Sequence, residues 1–192
     1  MGKLLRYTRI GGIPAEQPVP DSPVFARGLR NTQAFAWLPD GMLLGVDHGP
    51  TGMEQEQRRR GQDELNVLRA GGDYGWPHVT GWQTASGITS PAWMWPDAIA
   101  PAGLPVRPAT SPDSAQLLVA GLRGQLEQLT LACANGVTRK AARTTLLDGT
   151  YGRLRSVVVA SDGSVLLTTS NRDARGIARP GDELVVRLTL AP

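Results

Sequence analysis

Phe35-Ala-Trp-Leu38 runs into Pro39-Asp40-Gly41 and out again as Met42-Leu-Leu-Gly-Val46. Two apolar runs flank a turn whose glycine accepts positive φ without a Cβ clash, so the segment reads as a hairpin. The same grammar recurs down the chain. Gln116-Leu-Leu-Val-Ala120 precedes Gly121-Leu-Arg-Gly124, which leads into Gln125-Leu-Glu-Gln-Leu-Thr-Leu131. Val157-Val-Val-Ala160 meets Ser161-Asp-Gly163 and then Val165-Leu-Leu-Thr-Thr169, and Glu183 to Leu190 alternates as a final strand. With 23 Gly and 15 Pro in 192 residues, few windows place apolar residues at i, i+3, i+4 and i+7. The chain is expected to be all-β.

A longer repeat overlies the hairpins. Pro39-Asp40-Gly-Met-Leu43-Leu44, Pro112-Asp113-Ser-Ala-Gln-Leu117-Leu118 and Ser161-Asp162-Gly-Ser-Val165-Leu166 each set a turn before an apolar strand, 73 and 49 positions apart. Four-stranded propeller blades repeat at roughly 40–50 residues, so the second spacing fits, and the first fits if that blade carries an insertion. Gly49 to Leu65 and the Pro-rich stretch Pro91 to Pro112 are the candidate insertions. Propellers close with about four to eight blades, whereas three units and a leading strand near Leu4–Arg6 are visible here. The expectation is a partial β-propeller. An open arc leaves strand edges unpaired, so either it belongs to a longer ring or a partner chain completes it. A β-sandwich of irregular hairpins is the alternative architecture.

Composition narrows the function classes. No apolar run approaches the ~18 residues that span a bilayer, and the first residues lack the apolar core of a secretory signal. Lone Cys133 excludes an intrachain disulfide and zinc sites built on several cysteines. The net charge of +3 rests on scattered arginines, which argues against a nucleic-acid surface. The one basic run, Arg58-Arg59-Arg60, lies in a polar stretch from Glu54 to Gln62 that reads as a solvated loop. No Gly-x-Ser-x-Gly elbow and no phosphate-binding Walker loop is present, which disfavours serine hydrolases and nucleotide phosphatases.

The chemically richest stretch runs from Gly28 to Pro77. Asp63, Glu64 and carbonyls at Gly and Pro are hard oxygen donors, suited to calcium rather than zinc. His48 and His78, thirty positions apart, give no zinc signature. Asp47 and His48 are neighbours in a strand and point to opposite faces, a poor acid–base dyad. Arg153 and Arg155, at i and i+2, share a face if the segment is a strand, and two cations there call for an anion or for solvent.

Six motifs in order then give a resemblance: Gly28-Leu-Arg-Asn-x-Gln33, Asp47-His-Gly-Pro50, Asp63-Glu-Leu-Asn66, Tyr74-Gly-Trp-Pro77, Ile99-Ala-Pro-Ala-Gly-Leu104 and Gly152-Arg-Leu-Arg155. Together they resemble the soluble PQQ-dependent glucose and aldose sugar dehydrogenases, the glucose/sorbosone dehydrogenase family, over essentially the whole chain. The resemblance implies a six-bladed propeller of which residues 1–192 form the C-terminal part of one domain. It implies PQQ and calcium as cofactors, oxidation of an aldose to its lactone, and an external electron acceptor. By similarity, the carbonyls of Gly49 and Pro50 would hold the calcium that polarises PQQ. Arg30 would sit against the quinone oxygens with Asn31 beside it, and Arg123, Arg153 and Arg155 would neutralise carboxylates. Glu64 and Tyr74 resemble ligands of a second, structural calcium, with Trp76 and Pro77 shaping that loop.

The resemblance also sets limits. The family's histidine base belongs to the N-terminal half, so this chain alone is expected to show little or no dehydrogenase activity, and His48 is not assigned that role. Relatives carry Asp where this chain has Ser156, which takes a carboxylate from beside the arginine pair. Thr32, Ala34 and Asp73 are smaller departures. A periplasmic or extracellular setting follows from the family. Two other functions fit a propeller arc: a non-catalytic half-ring module that pairs with a second chain, and a calcium-dependent lactone hydrolase.

Overall fold

The computed structural model describes residues 2–53, 56, 59–108, 111, 114–134 and 137–190, with the backbone alone at 133, 134 and 137–141. Arg58, the Pro112-Asp113 turn and the Cys133 side chain lie outside these. Fourteen strands follow one another: β1 Gly2–Leu5, β2 Val24–Leu29, β3 Thr32–Trp37, β4 Leu43–Asp47, β5 Asp63–Leu68, β6 Trp93–Trp95, β7 Pro101–Gly103, β8 Val106–Arg107, β9 Ser114–Gly121, β10 Gln125–Ala134, β11 Val137–Asp148, β12 Leu154–Val159, β13 Val165–Thr169 and β14 Val185–Leu188. Among the described residues there is no α-helix, and so no helix long and apolar enough to cross a membrane.

The strands pair as antiparallel meanders. One sheet runs β3-β4-β5-β6 and the next β7-β9-β10-β11, with β8 also on β9. A two-stranded sheet, β1-β2, precedes them and a three-stranded one, β12-β13-β14, follows. The first strand of each meander is innermost, and β7 packs against both β3 and β12. This is an arc of a β-propeller: two complete blades flanked by two partial ones. The Pro91–Pro112 stretch, expected as an insertion, instead supplies β6, β7 and β8, the outer strand of one blade and the inner edge of the next. Prolines at its bends, where no ladder N–H is needed, had obscured three very short strands.

Strand β9 shows why the sheets stack. Leu117 and Val119 enter a core with Leu44, Val46, Leu65 and Trp95 of the preceding blade, and Leu118 and Ala120 enter another with Leu154, Val157 and Leu167 of the following one. Successive side chains leave a strand on opposite faces, so a strand between two blades is apolar along the whole stretch that both blades cover, here Leu117–Ala120. A third, smaller core of Ala26, Leu29, Leu68 and Tyr74 fixes β2 to the first complete blade.

Antiparallel pairing puts alternate connections at the same end of a blade. Residues 30–31, 48–62, 96–100, 122–124, 149–153 and 170–184 are six such connections. Six of the nine candidate residues lie on them: Arg30, Asn31, Gly49, Pro50, Arg123 and Arg153.

Candidate functional site

Two large clefts open on the arc. One, about 810 Å³, lies between β1 and the first complete blade and is lined mostly by side chains such as Leu4, Tyr7, Phe25, Phe35, Trp37 and Met42. The other, about 750 Å³, opens where the six connections converge and is lined by Arg60, Arg123, Arg153, Arg175 and Arg179 against a single carboxylate, Asp63. Convergent charge makes the second the candidate site.

Asp63 is spoken for. It is 2% exposed, its Oδ1 accepts from Gly49 N at 2.8 Å, and its Oδ2 accepts from Ile99 N at 2.8 Å and Ala100 N at 2.7 Å. Three amides hold this carboxylate, and its work is to tie the Gly49-Pro50 turn to the strand entering β7. Gly49 itself admits no side chain, because a Cβ there would run into the carbonyls of Gly61 and Gln62. The carbonyl of Pro50 accepts from Gly61 N at 3.1 Å, which leaves its second lone pair free.

Asp47 organises the neighbouring connection. Its Oδ2 takes Arg30 N at 2.8 Å, and its Oδ1 takes Asn31 N at 2.7 Å and the Thr32 hydroxyl at 3.0 Å. Burial pushes the Asp47 carboxyl up against those hydrogen bonds. His48 is held separately, its Nε2 2.8 Å from the Pro101 carbonyl and its Nδ1 3.3 Å from Asn31 Nδ2. No Asp47–His48 dyad forms, as expected for strand neighbours.

The arginines are oriented by carboxylates. Glu56 meets Arg30 at 2.7 Å, and the Arg30 guanidinium lies 5.3 Å from the Trp76 ring centroid. Arg59 lies over the same ring at 5.7 Å and donates to the Pro77 carbonyl at 2.6 Å. The reading of Glu54 to Gln62 as a solvated loop is thus corrected at both residues: Glu56 is 4% exposed, and Arg59 is packed. Asp173 takes Arg153 at 2.8 Å and Arg155 at 3.2 Å, replacing the carboxylate that Ser156 lacks.

Glu64 and Tyr74 come together on one small cavity of about 10 Å³, along with Gly28, Arg30, Asp47, Gly49 and Trp76. That is space for one water-sized particle. Gly28, at φ +73°, permits the approach, since the amides of Tyr74 and Gly75 occupy the place of a Cβ. Burial drives the Glu64 carboxyl up to about 7, opposed by hydrogen bonds from Asn66 and Gly81 N and reinforced by the charges of Asp47 and Asp63. Beside it, Asn66 Oδ1 is buried without a hydrogen-bond partner. The Tyr74 hydroxyl donates to the Val67 carbonyl at 2.5 Å and accepts from Arg69 N, so only its main chain is open to a further ligand.

The family model of the glucose/sorbosone dehydrogenases matches residues 1–179. The chain belongs to that family. A crystal structure from Thermus thermophilus, of an oxidoreductase described as a glucose dehydrogenase, superposes with a TM-score of 0.84 at 39% identity, covering 98% of this chain and 55% of that one. An aldose sugar dehydrogenase from Streptomyces coelicolor, solved in its PQQ-bound form, superposes at 0.79 with 33% identity over 97% of this chain and 51% of its own. Quinoprotein glucose dehydrogenase B of Acinetobacter calcoaceticus is 38% identical over 90 residues, 45% of this chain and 17% of that protein. The chain spans about half the length of the solved relatives it matches.

Of the family positions read from the sequence, Gly49, Pro50, Arg123 and Arg153 line the arginine cleft. Arg30 and Asn31 stand behind its His48–Thr51 wall, Arg30 reaching the His48 carbonyl and the Thr51 hydroxyl at 3.4 Å. Arg155 does not line the cleft; it is drawn outward to Asp173. Sequence reasoning missed Arg60, Arg175 and Arg179. The last two ride on the connection after β13, where Arg179 clasps the carbonyls of Thr150 and Gly149 at 2.9 and 3.4 Å. The available signal was a polar connection of fifteen residues between two strands, longer than a hairpin requires.

Proposed function

We propose that this chain forms the cofactor-holding part of a PQQ-dependent aldose dehydrogenase. The observation that supports it is the cleft: five converging arginines against one lining carboxylate, which three backbone amides already engage. Such a basin suits a rigid anion bearing several carboxylates, and about 750 Å³ accommodates a fused-ring cofactor. The residues present fit PQQ on those grounds.

Arg123 and Arg153 bind carboxylates directly, with Arg155 adding positive charge from behind through the shared Asp173. Arg30, one wall away, offers a guanidinium to the quinone oxygens and Asn31 lies beside it; positive charge there favours the reduced cofactor. Carbonyls of Gly49 and Pro50 would hold a calcium ion in the same cleft, and Glu64, with the main chain at Tyr74, would hold a second. For that second site the donor chemistry fits: a buried carboxylate crowded by two others, and an orphaned amide oxygen at Asn66.

With PQQ bound, the site holds a two-electron oxidant that takes an aldose to its lactone and passes the electrons to an external acceptor. The chain's own part is to bind and orient. Neither histidine serves as a base here: both His48 ring nitrogens are engaged, and His78 is exposed outside the cleft.

A chimera tests this reading. Residues 1–192 replace the matching half of the Thermus relative, and aldose-dependent dye reduction is assayed with PQQ and calcium. Oxidation that disappears with Arg153→Ala is expected. A folded, PQQ-loaded chimera that oxidises no aldose would count against it.

A further inference from the structure

Glu56 accepts five hydrogen bonds beside the cleft, and no motif pointed to it. Its Oε1 accepts from Arg30 Nε at 2.8 Å. Its Oε2 accepts from Thr51 N at 2.6 Å, the Thr51 hydroxyl at 2.9 Å, Gly52 N at 3.1 Å and Met53 N at 3.4 Å. Its own carbonyl accepts from Arg59 Nε at 3.1 Å, and Arg59 shares the Trp76 ring with Arg30. One carboxylate therefore grips the guanidinium assigned to the quinone oxygens with one oxygen. With the other it closes the turn that directly follows Gly49 and Pro50.

The two grips do different things. Arg30 has a 14% exposed side chain, and an arginine loses several rotatable bonds when it is fixed. The carboxylate on one edge and the indole under the ring plane fix it before any ligand arrives. The amides of Thr51, Gly52 and Met53 converge on the second oxygen, which joins the Gly61 amide in setting the orientation of the Pro50 carbonyl. A carboxylate that only balanced charge would need neither arrangement.

We propose that Glu56 is the positioning residue of the cofactor site, setting the Arg30 guanidinium and the Gly49-Pro50 carbonyls in one geometry. The inference rests on the PQQ reading above and adds a residue to it. It makes a prediction of unusual sign. Removing a negative charge from beside an anion site should, by charge alone, tighten the anion. Removing a positioning group should loosen it.

The test is PQQ titration of the full 192-residue chain with calcium present, in wild type, Glu56→Gln, Arg30→Ala and the double variant. Glu56→Gln should weaken binding about tenfold or more, the worth of one charge-assisted hydrogen bond. In the Arg30→Ala background the same change should cost only the part that passes through the turn, about threefold, because the guanidinium it positions is gone. Thr51→Ala, which keeps the carboxylate and removes one of its donors, should weaken binding about threefold and stands in should Glu56→Gln fail to fold. Unchanged or tighter binding by Glu56→Gln, or an equal loss in both backgrounds, overturns the inference and leaves the PQQ reading standing. A wild-type chain that takes up no PQQ overturns the PQQ reading, and the inference with it.

Discussion

Asp173 Oδ2 lies 2.8 Å from Arg153 Nη2, and the same oxygen reaches Arg155 at 3.2 Å. One carboxylate thus joins the connection after β13 to two cations at the start of β12. The Arg153 hydrogen bond, foremost, holds the Asp173 carboxyl well below the usual range against a modest effect of burial. Arg153 is further fixed by the carbonyls of Leu122 at 3.1 Å and Ser170 at 3.2 Å, so it faces the cleft while Arg155 does not. That asymmetry separates two residues which the sequence presents as a matched pair.

Arg153→Ala and Arg123→Ala should each weaken PQQ about 10–100-fold, whereas Arg155→Ala should weaken it only a few-fold. Equilibrium dialysis at two ionic strengths checks this. The first two variants should also flatten the salt dependence.

Asp173→Ala leaves Arg153 and Arg155 facing each other without a counter-ion. We expect the melting temperature to fall by a few degrees at low salt and by less in molar salt, because screening quiets the repulsion. Differential scanning fluorimetry in both buffers is sufficient. An identical fall in both would mean that the carboxylate acts through hydrogen bonds to the connection and not through charge.

Glu64 makes stability depend on pH in a direction opposite to the common carboxylate pattern. Its carboxyl titrates near 7 in the folded chain and at 4.5 unperturbed. Between those values the unfolded chain has released the proton and the folded chain still holds it, so raising the pH favours unfolding. The loss amounts to about 3 kcal/mol across that window. Calcium bound to the ionised carboxylate should offset it. Thermal melts from pH 4.5 to 7.5 should therefore decline without calcium and level off with it, and Glu64→Gln should abolish both behaviours.

Leu117 and Leu118 are both fully buried but belong to different inter-blade cores. Leu117→Ala and Leu118→Ala should each destabilise the chain by about 2–5 kcal/mol in urea unfolding. Comparable penalties at consecutive positions are the mark of a strand covered on both faces. A β-sandwich strand with one face in solvent would show one large and one small effect.

Much of this was legible in the residues. The Asp-Gly turns and apolar runs place β4, β9, β10, β12 and β13 correctly, because their signals are local. The arginine cleft was half visible: Arg123 and Arg153 sit in recognisable motifs, but Arg175 and Arg179 lie on an irregular connection with no periodicity to mark them. Glu56 and Arg59 read as solvent-facing because a polar run gives no hint that its carboxylate will be enclosed by Arg30 and three backbone amides. Three-residue strands such as β6 and β7 carry too few positions to show alternation. They exist because neighbouring blades leave them nowhere else to pair.

The central claim is that this cleft holds a polycarboxylated quinone, and quenching of tryptophan emission on titration with PQQ measures it directly. We expect saturable, one-to-one quenching in calcium that weakens steeply with salt and about 10–100-fold on Arg153→Ala. Emission unchanged by PQQ, with the chain folded and calcium present, would contradict it.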